Sequence, residues 1–232
     1  MEEKTVAIIL AGGEGIRMSA DMPKQFMPLA GKPVIIHTLK RFEKNPLISD
    51  IVIVSHKDYT DALSDMIQKE GIGKIRGIFK GGSTRQESSY IGVKNCPENT
   101  GLVLIHDAVR PFADDRMIEN TLVAAKEVGA SGAAIETGDT IIIKKGDYLE
   151  EIPARDNLKR MQTPQGFRYQ TILEAHRWAL ENSILDATDD CGLVLAMGKP
   201  VKIVEGSIYN MKLTDKTDFL TAEAFIKSGK IA

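Results

Sequence analysis

Short runs of apolar residues alternate with longer stretches in which apolar positions recur every three to four residues. The runs fall at 6–10, 51–54, 75–79 and 102–105, and the helical periodicity at 34–43, 59–70, 86–93 and 117–128. The runs are near-continuous rather than alternating, which predicts strands buried on both faces. Their alternation with helices predicts βαβ units, hence an α/β fold with a mainly parallel sheet and helices on both faces. No repeat or low-complexity tract breaks the pattern, and residues 1–232 read as a single domain.

The rhythm changes after Gly138. Two β-rich runs, 140–144 and 148–152, flank Lys145-Gly146-Asp147, which is a hairpin signal. The segment at about 138–157 lies outside the βα alternation and predicts a projecting β-hairpin arm. Its isoleucines need cover, and a second subunit is the simplest source. The chain then returns to a helix at 169–181, a further one near Leu193, a strand at 201–204 and a terminal helix at about 215–227.

Charge and composition narrow the function classes. A formal net charge of -2 argues against bulk binding to nucleic acid or to a membrane surface, so cations that matter must act locally. Two cysteines, Cys96 and Cys191, stand too far apart to suggest a disulfide framework or a zinc cluster, and read as small buried hydrophobes. The start, Met1-Glu2-Glu3-Lys4 before a five-residue apolar run, is too short and too acidic for a signal peptide. No apolar stretch is long enough to span a bilayer. The expected location is the cytoplasm.

Candidate chemistry begins where the first strand ends. Ala11-Gly12-Gly13-Glu14-Gly15-Ile16-Arg17-Met18 opens an apolar strand into glycines followed by a cation. Glycines let the backbone approach an anion closely, and successive N–H groups in such a turn face negative charge. Arg17 and Lys24 add full positive charges, so a polyphosphate is the expected ligand. The third position of a dinucleotide fingerprint is filled by Met18, and no P-loop string occurs.

A second cluster, His106-Asp107-Ala108-Val109-Arg110-Pro111, follows the strand at 102–105. Ligands of open α/β sheets bind beyond the carboxyl ends of strands. Asp107 is therefore placed to hold Mg²⁺ against phosphate, and Arg110 to grip a second phosphate or, alternatively, to pair with Asp107 across a turn. His106 reads as a packed, hydrogen-bonded residue. Gly81-Gly82-Ser83-Thr84-Arg85-Gln86-Glu87-Ser88 offers another glycine turn, suited to a base or ribose edge, or simply to capping a helix. Asp139-Thr140, Arg155, Thr163-Pro164-Gln165 and Asn210-Met211-Lys212 complete the set. Lys212 has the alternative of a solvated surface lysine, and Arg155 that of pairing with Glu150 or Glu151. There is no nucleophile elbow and no His-Glu-x-x-His helix. Phosphoryl-type transfer needs neither, because a phosphate monoester is already a dianionic nucleophile near neutral pH.

Taken together, Leu10-Ala11-Gly12-Gly13-x-Gly15-x-Arg17-Met18, Pro23-Lys24-Gln25-Phe26, His106-Asp107-Ala108-Val109-Arg110-Pro111, Gln162-Thr163-Pro164-Gln165 and Asn210-Met211-Lys212 resemble the CTP-dependent polyol-phosphate cytidylyltransferases. The motifs appear in family order and span nearly the whole chain. The resemblance implies a Rossmann-like nucleotidyltransferase fold, a homodimer joined through the β-arm, and Mg²⁺ as cofactor. It implies transfer of CMP from CTP to a polyol phosphate, with release of pyrophosphate.

By motif position, Arg17 and Lys24 stabilise charge on the triphosphate and Lys212 holds the α-phosphate. Ala11, Gly12, Gly13 and Gly15 give backbone contacts to the nucleotide, Gly82, Ser83, Arg85 and Ser88 line the cytosine and ribose site, and Ala108 joins them. Asp107 sits between metal and substrate, with Arg110 and Thr163 near the substrate. Asp139, Thr140 and Arg155 reach the polyol phosphate in the partner subunit's site, which places Arg155 with Arg17, Lys24 and Lys212 in the catalytic set.

Within the family, Ala11-Gly12-Gly13, Tyr209-Asn210-Met211-Lys212 and Cys191 lean towards ribitol 5-phosphate as acceptor. Arg85-Gln86-Glu87-Ser88 and Thr188-Asp189-Asp190 lean towards 2-C-methyl-D-erythritol 4-phosphate, which is the expected acceptor because that branch is more widespread. Two competing classes are a sugar-1-phosphate nucleotidyltransferase with another nucleotide, and a nucleotide-sensing protein on the same fold.

Overall fold

A computed structural model describes residues 3–13 and 22–230. Strand β1 (Lys4–Ala11) is followed by a short 3-10 turn (Lys24–Phe26) and a small antiparallel pair, β2 (Pro28–Leu29) with β3 (Lys32–Pro33). Helix α1 (Val34–Lys44), β4 (Asp50–Ser55), α2 (Thr60–Lys69), β5 (Ile75–Lys80), α3 (Arg85–Lys94), β6 (Thr100–Asp107) and α4 (Asp115–Val128) continue the alternation. These elements lie where hydrophobic patterning predicts them, to within a residue or two. Next come β7 (Ala130–Glu136), the hairpin β8 (Ile143–Lys145) with β9 (Tyr148–Glu151), and β10 (Lys159–Arg168). Helices α5 (Tyr169–Glu181) and α6 (Asp190–Ala196), strand β11 (Lys202–Glu205) and helix α7 (Lys216–Lys227) close the chain.

The main sheet has the order β11-β7-β10-β6-β1-β4-β5. Strand β10 runs antiparallel to both β6 and β7, and the other pairings are parallel. The chain adds β4 and β5 on one side of β1 and then crosses to place β6 on the other. The loops after β1 and β6 therefore diverge from adjacent strands, leaving a crevice at their carboxyl ends. Register fixes the site's position there, since Leu10 pairs with Asp107 and Ala11 with Ser55.

Alternate residues of β1 serve opposite faces. Ala7 and Ile9 pack with Leu39 and Phe42 of α1 and Leu63 of α2, and Val6 and Ile8 pack with Val93 of α3 and Ile172 and Ala175 of α5. Helix α3 lies very close to the sheet, because a Cβ at Gly92 would stand 2.4 Å from Ile8 Cγ2. The arm's hairpin is shorter than its sequence predicts. Its turn is Gly146-Asp147, with Gly146 at φ +60° in the left-handed region, and Lys145 belongs to β8. Ile142, Ile143, Leu149 and Ile152 are exposed within the chain. Both cysteines are free, Cys191 is buried, and burial pushes the Cys96 thiol up to about 12. Among the described residues no helix is long and apolar enough to cross a membrane.

Gly92→Ala tests the α3 contact. Helix propensity alone favours alanine by about 1 kcal/mol. Overlap with Ile8 outweighs that gain, and we expect net destabilisation of about 1–3 kcal/mol in urea unfolding. Unchanged or increased stability would refute the tight approach.

Candidate active site

Three loops meet at the carboxyl ends of β1, β5 and β6. The loops after β1 and β5 touch backbone to backbone: a Cβ at Gly81 would lie 3.3 Å from Gly12 Cα and 3.1 Å from Ser88 Oγ. Ser88 Oγ in turn accepts a hydrogen bond from Gly82 N at 3.1 Å. Ser83 donates through both its N–H and its hydroxyl to Glu87, and Thr84 caps α3 by accepting from Glu87 N. Capping, the plainer of the two sequence readings, thus describes the Ser83 and Thr84 side chains, while the backbone at Gly82 remains part of the cleft wall.

Asp107, the last residue of β6, forms the electrostatic centre. Its carboxylate is nearly buried, with Lys212 Nζ at 2.9 Å, Arg85 Nε at 3.5 Å and Arg110 Nε at 3.6 Å. Burial opposes its charge, but the three cations prevail and hold the carboxyl well below the usual carboxylate range. Arg85 is shared with a second buried carboxylate, Asp190, at 2.7 Å from Nη1. Asp190 also accepts from Ser89 Oγ at 2.5 Å and lies 3.5 Å from His176 Nε2. Burial likewise opposes the Asp190 charge, and Arg85, His176 and Ser89 overcome it. Around Asp107 itself three cations face one carboxylate, while Arg85 is shared with Asp190 and also lies near Asp189.

His106 is fully buried, and burial lowers its pKa to about 4, so it is neutral. Its Nε2 donates to the Arg110 carbonyl at 2.9 Å, which leaves Nδ1 to accept from the Thr163 hydroxyl at 3.0 Å. The same hydroxyl accepts from Asp107 N at 3.1 Å. His106 and Thr163 therefore fix the backbone that presents Asp107. Ala108 is tied in the same way, donating from N to Leu10 O and accepting from Thr38 Oγ1 at its carbonyl.

A strap before α7 closes the site. Asn210 Nδ2 donates to Thr163 O at 2.7 Å, Arg110 Nη1 donates to Asn210 O at 2.9 Å, and Leu213 N donates to Val109 O at 2.9 Å. These bonds aim Lys212 at Asp107, so it is no free surface lysine. Lys24 reaches the same strap, donating to Thr214 O at 3.2 Å. Two lysines that are 188 positions apart in sequence thus converge on one short segment.

Arg17 and Gly15 lie outside the described residues. Asp139, Thr140 and Arg155 form a separate group in the arm, lining a cavity of about 160 Å³ with Ile141, Ile152, Pro153 and Leu158. Arg155 Nη2 donates to Thr140 Oγ1 at 3.4 Å rather than pairing with Glu150 or Glu151. No hydrogen bond or ion pair joins this group to the Asp107 cluster within the chain, among the described residues. A larger open depression of about 470 Å³, which includes Lys4, Arg76 and Cys96, sits at the opposite end of the sheet and contains none of this chemistry.

Among the described residues no group of three His, Cys, Asp or Glu could cage a metal ion. One ionised carboxylate fits a hard divalent cation that takes its remaining ligands from phosphate and water. Sequence reasoning did not single out Ser89, His176 or Asp190 as site residues. Their signal is purely spatial, since Arg85 and Asp190 are brought together from 105 positions apart.

Comparison with known proteins agrees with this geometry. The family model described as IspD: 2-C-methyl-D-erythritol 4-phosphate cytidylyltransferase matches residues 5–228. A 2-C-methyl-D-erythritol 4-phosphate cytidylyltransferase of Clostridium novyi is 38% identical over 229 residues, covering 98% of each chain. One from Bacillus cytotoxicus is 41% identical over 219 residues, covering 94% of this chain and 96% of its own. The crystal structure of 4-diphosphocytidyl-2C-methyl-D-erythritol synthase from Anaerococcus prevotii superposes with a TM-score of 0.85 at 32% identity, over 97% of this chain and 99% of that one. The Francisella tularensis cytidylyltransferase gives 0.80 at 27% identity, over 96% and 99%. A match along nearly the whole length, with the cleft motifs in place, means that this chain belongs to the IspD family of cytidylyltransferases.

Proposed function

We infer that this chain transfers CMP from CTP to 2-C-methyl-D-erythritol 4-phosphate and releases pyrophosphate. The observation that carries the chemistry is the positive excess around Asp107 at the switch point of the sheet, next to a glycine loop. Full-length relatives named for the methylerythritol acceptor favour it over ribitol 5-phosphate. Two of the three features that leaned towards ribitol have local roles. Cys191 is a packing residue whose Sγ lies against the backbone of β7, and a Cβ at Gly12 would stand 3.3 Å from Ser88 Oγ, a close contact inside the cleft.

The acceptor's phosphate oxygen attacks the α-phosphorus of CTP as the bond to the pyrophosphate oxygen breaks. The nucleophile, with a second pKa near ~6, needs no general base at neutral pH. The residues therefore have to align the two phosphates and neutralise the charge that builds between them. Ala11, Gly12, Gly13 and Gly15 supply backbone N–H groups to the nucleotide. Gly82, Ser83, Arg85, Ser88 and Ala108 line its base and ribose. Arg17 and Lys24 neutralise the triphosphate, and Arg110 and Thr163 complete the acceptor side. Lys212, whose side chain is 42% exposed, has room to turn from Asp107 to the α-phosphate. Asp107 would hold Mg²⁺, which would supply positive charge to the triphosphate.

The reading includes a homodimer. The exposed isoleucines of the arm and the separation of Arg155 from the Asp107 cluster support an arm that crosses to a partner and delivers Asp139, Thr140 and Arg155 to its acceptor phosphate. In this reading residues 1–232 act as a single nucleotidyltransferase domain, and the setting is cytoplasmic, where both free cysteines stay reduced.

Pyrophosphate release from CTP and Mg²⁺, measured in parallel with each acceptor, tests the assignment. Strong preference for methylerythritol phosphate is expected, and preference for ribitol phosphate would overturn it. Lys24→Ala should lower kcat by about 10²–10³-fold while CTP affinity changes far less, as for a group that acts on transition-state charge. Weakened affinity with unchanged kcat would contradict that role. Arg155→Ala and Lys24→Ala proteins, each nearly inactive, should regain activity on mixing, because the hybrid dimer holds one intact site. No recovery despite proven subunit exchange would return Arg155 to its own subunit's site.

A further inference from the structure

The Pro23-Lys24-Gln25-Phe26 turn contributes Lys24 to the site, but its most buried polar side chain is the next residue. Gln25 is 3% exposed, and its Nε2 donates to Ala11 O at 2.7 Å and to Gly13 O at 3.0 Å. The Ala11 carbonyl ends β1 and the Gly13 carbonyl lies two residues further on, so one amide bridges the exit of the strand and the start of the glycine loop. We propose that Gln25 is a positioning residue for the nucleotide, holding residues 11–13 at the start of this loop in the form that presents the Gly12 N–H to the phosphates of CTP.

The argument rests on peptide geometry. In a trans peptide the C=O and N–H point in opposite directions. Pinning the Ala11 carbonyl towards Gln25 turns the Gly12 N–H away from it. Ala11 O also accepts from His56 N at 3.1 Å, which anchors it to the end of β4. Gly13 is exposed, and a Cβ there would meet nothing within 4 Å, so side-chain packing does nothing to hold it. A glycine loop loses much conformational freedom when it orders around a ligand. An amide that ties the Gly13 carbonyl to the end of β1 beforehand removes part of that cost and thereby raises affinity.

The turn that carries Gln25 has its own anchors. The Phe26 ring is buried and stacks on Tyr59 with centroids 4.4 Å apart, and Phe26 N donates to Pro23 O. The turn should therefore persist when the amide is removed. This makes the nucleotide effect separable from folding.

The inference depends on CTP being the ligand of the first loop, and the test separates the two. CTP is titrated by calorimetry into the wild-type protein and into Gln25→Met, which keeps the length of the side chain and lacks its donors. Wild-type protein that does not bind CTP would refute the nucleotide reading itself. Given wild-type binding, the expected result is a CTP Kd raised by about tenfold or more. The CTP KM should rise more than kcat falls, the acceptor KM should stay within about twofold, and the melting temperature should move by only a few degrees. A folded Gln25→Met protein with wild-type CTP affinity would overturn the proposal, as would a loss of stability and kcat without a selective loss of CTP. Should Gln25→Met not fold, Gln25→Asn decides by the same criteria, because it keeps the amide but is one methylene too short to span both carbonyls.

Discussion

The site depends on burying one charge. Asp107 ends a strand in the middle of the sheet, where an unpaired carboxylate costs several kcal/mol. The fold meets that cost with Arg85 from α3, Arg110 from the loop after β6 and Lys212 from the strap. Each cation is itself held. Asp190 fixes Arg85, the Asn210 carbonyl fixes Arg110, and backbone bonds between the strap and the loop after β6 fix Lys212. The ionised carboxylate and the surplus cations around it are two aspects of one arrangement.

Hydrophobic patterning captured the half of the sheet made of β-branched runs. Strands β1, β4, β5 and β6 are dense in Val and Ile and stand between clear helical periods, so local preference and tertiary structure agree. Strand β7 was illegible for the opposite reason: Ala130-Ser131-Gly132-Ala133-Ala134 has almost no strand propensity. It is a strand because it lies between β10 and β11 where space is short. A Cβ at Gly132 would stand 2.9 Å from both Cys191 Sγ and Met161 Sδ. In β10, Pro164 and Gly166 obscure the pattern, and the ladder to β7 shifts register between Met161 and Gln165. Neighbouring strands override the sequence signal in both places.

The site divides along similar lines. Glycine turns, Asp107 and the lysines could be picked out as candidates because each sits in a compact motif that follows or ends a strand. Supporting residues could not, because their meaning is relational. Asp190 matters through Arg85, and Thr163 through His106 and the Asp107 N–H. The sequence places Thr163 near the substrate, whereas within the chain its hydroxyl holds the backbone that presents the neighbouring carboxylate.

The strap also bears on how the chain is made. Lys212 is among the last residues of the sequence to take a place in the cleft, and Asn210 arrives with it. A chain that stops short of them would have to seat Asp107 with one cation fewer and leave the Arg110 guanidinium without its carbonyl. During synthesis the cleft therefore gains its third cation only when this late stretch has been added, and Asp107 rests on Arg85 and Arg110 until then.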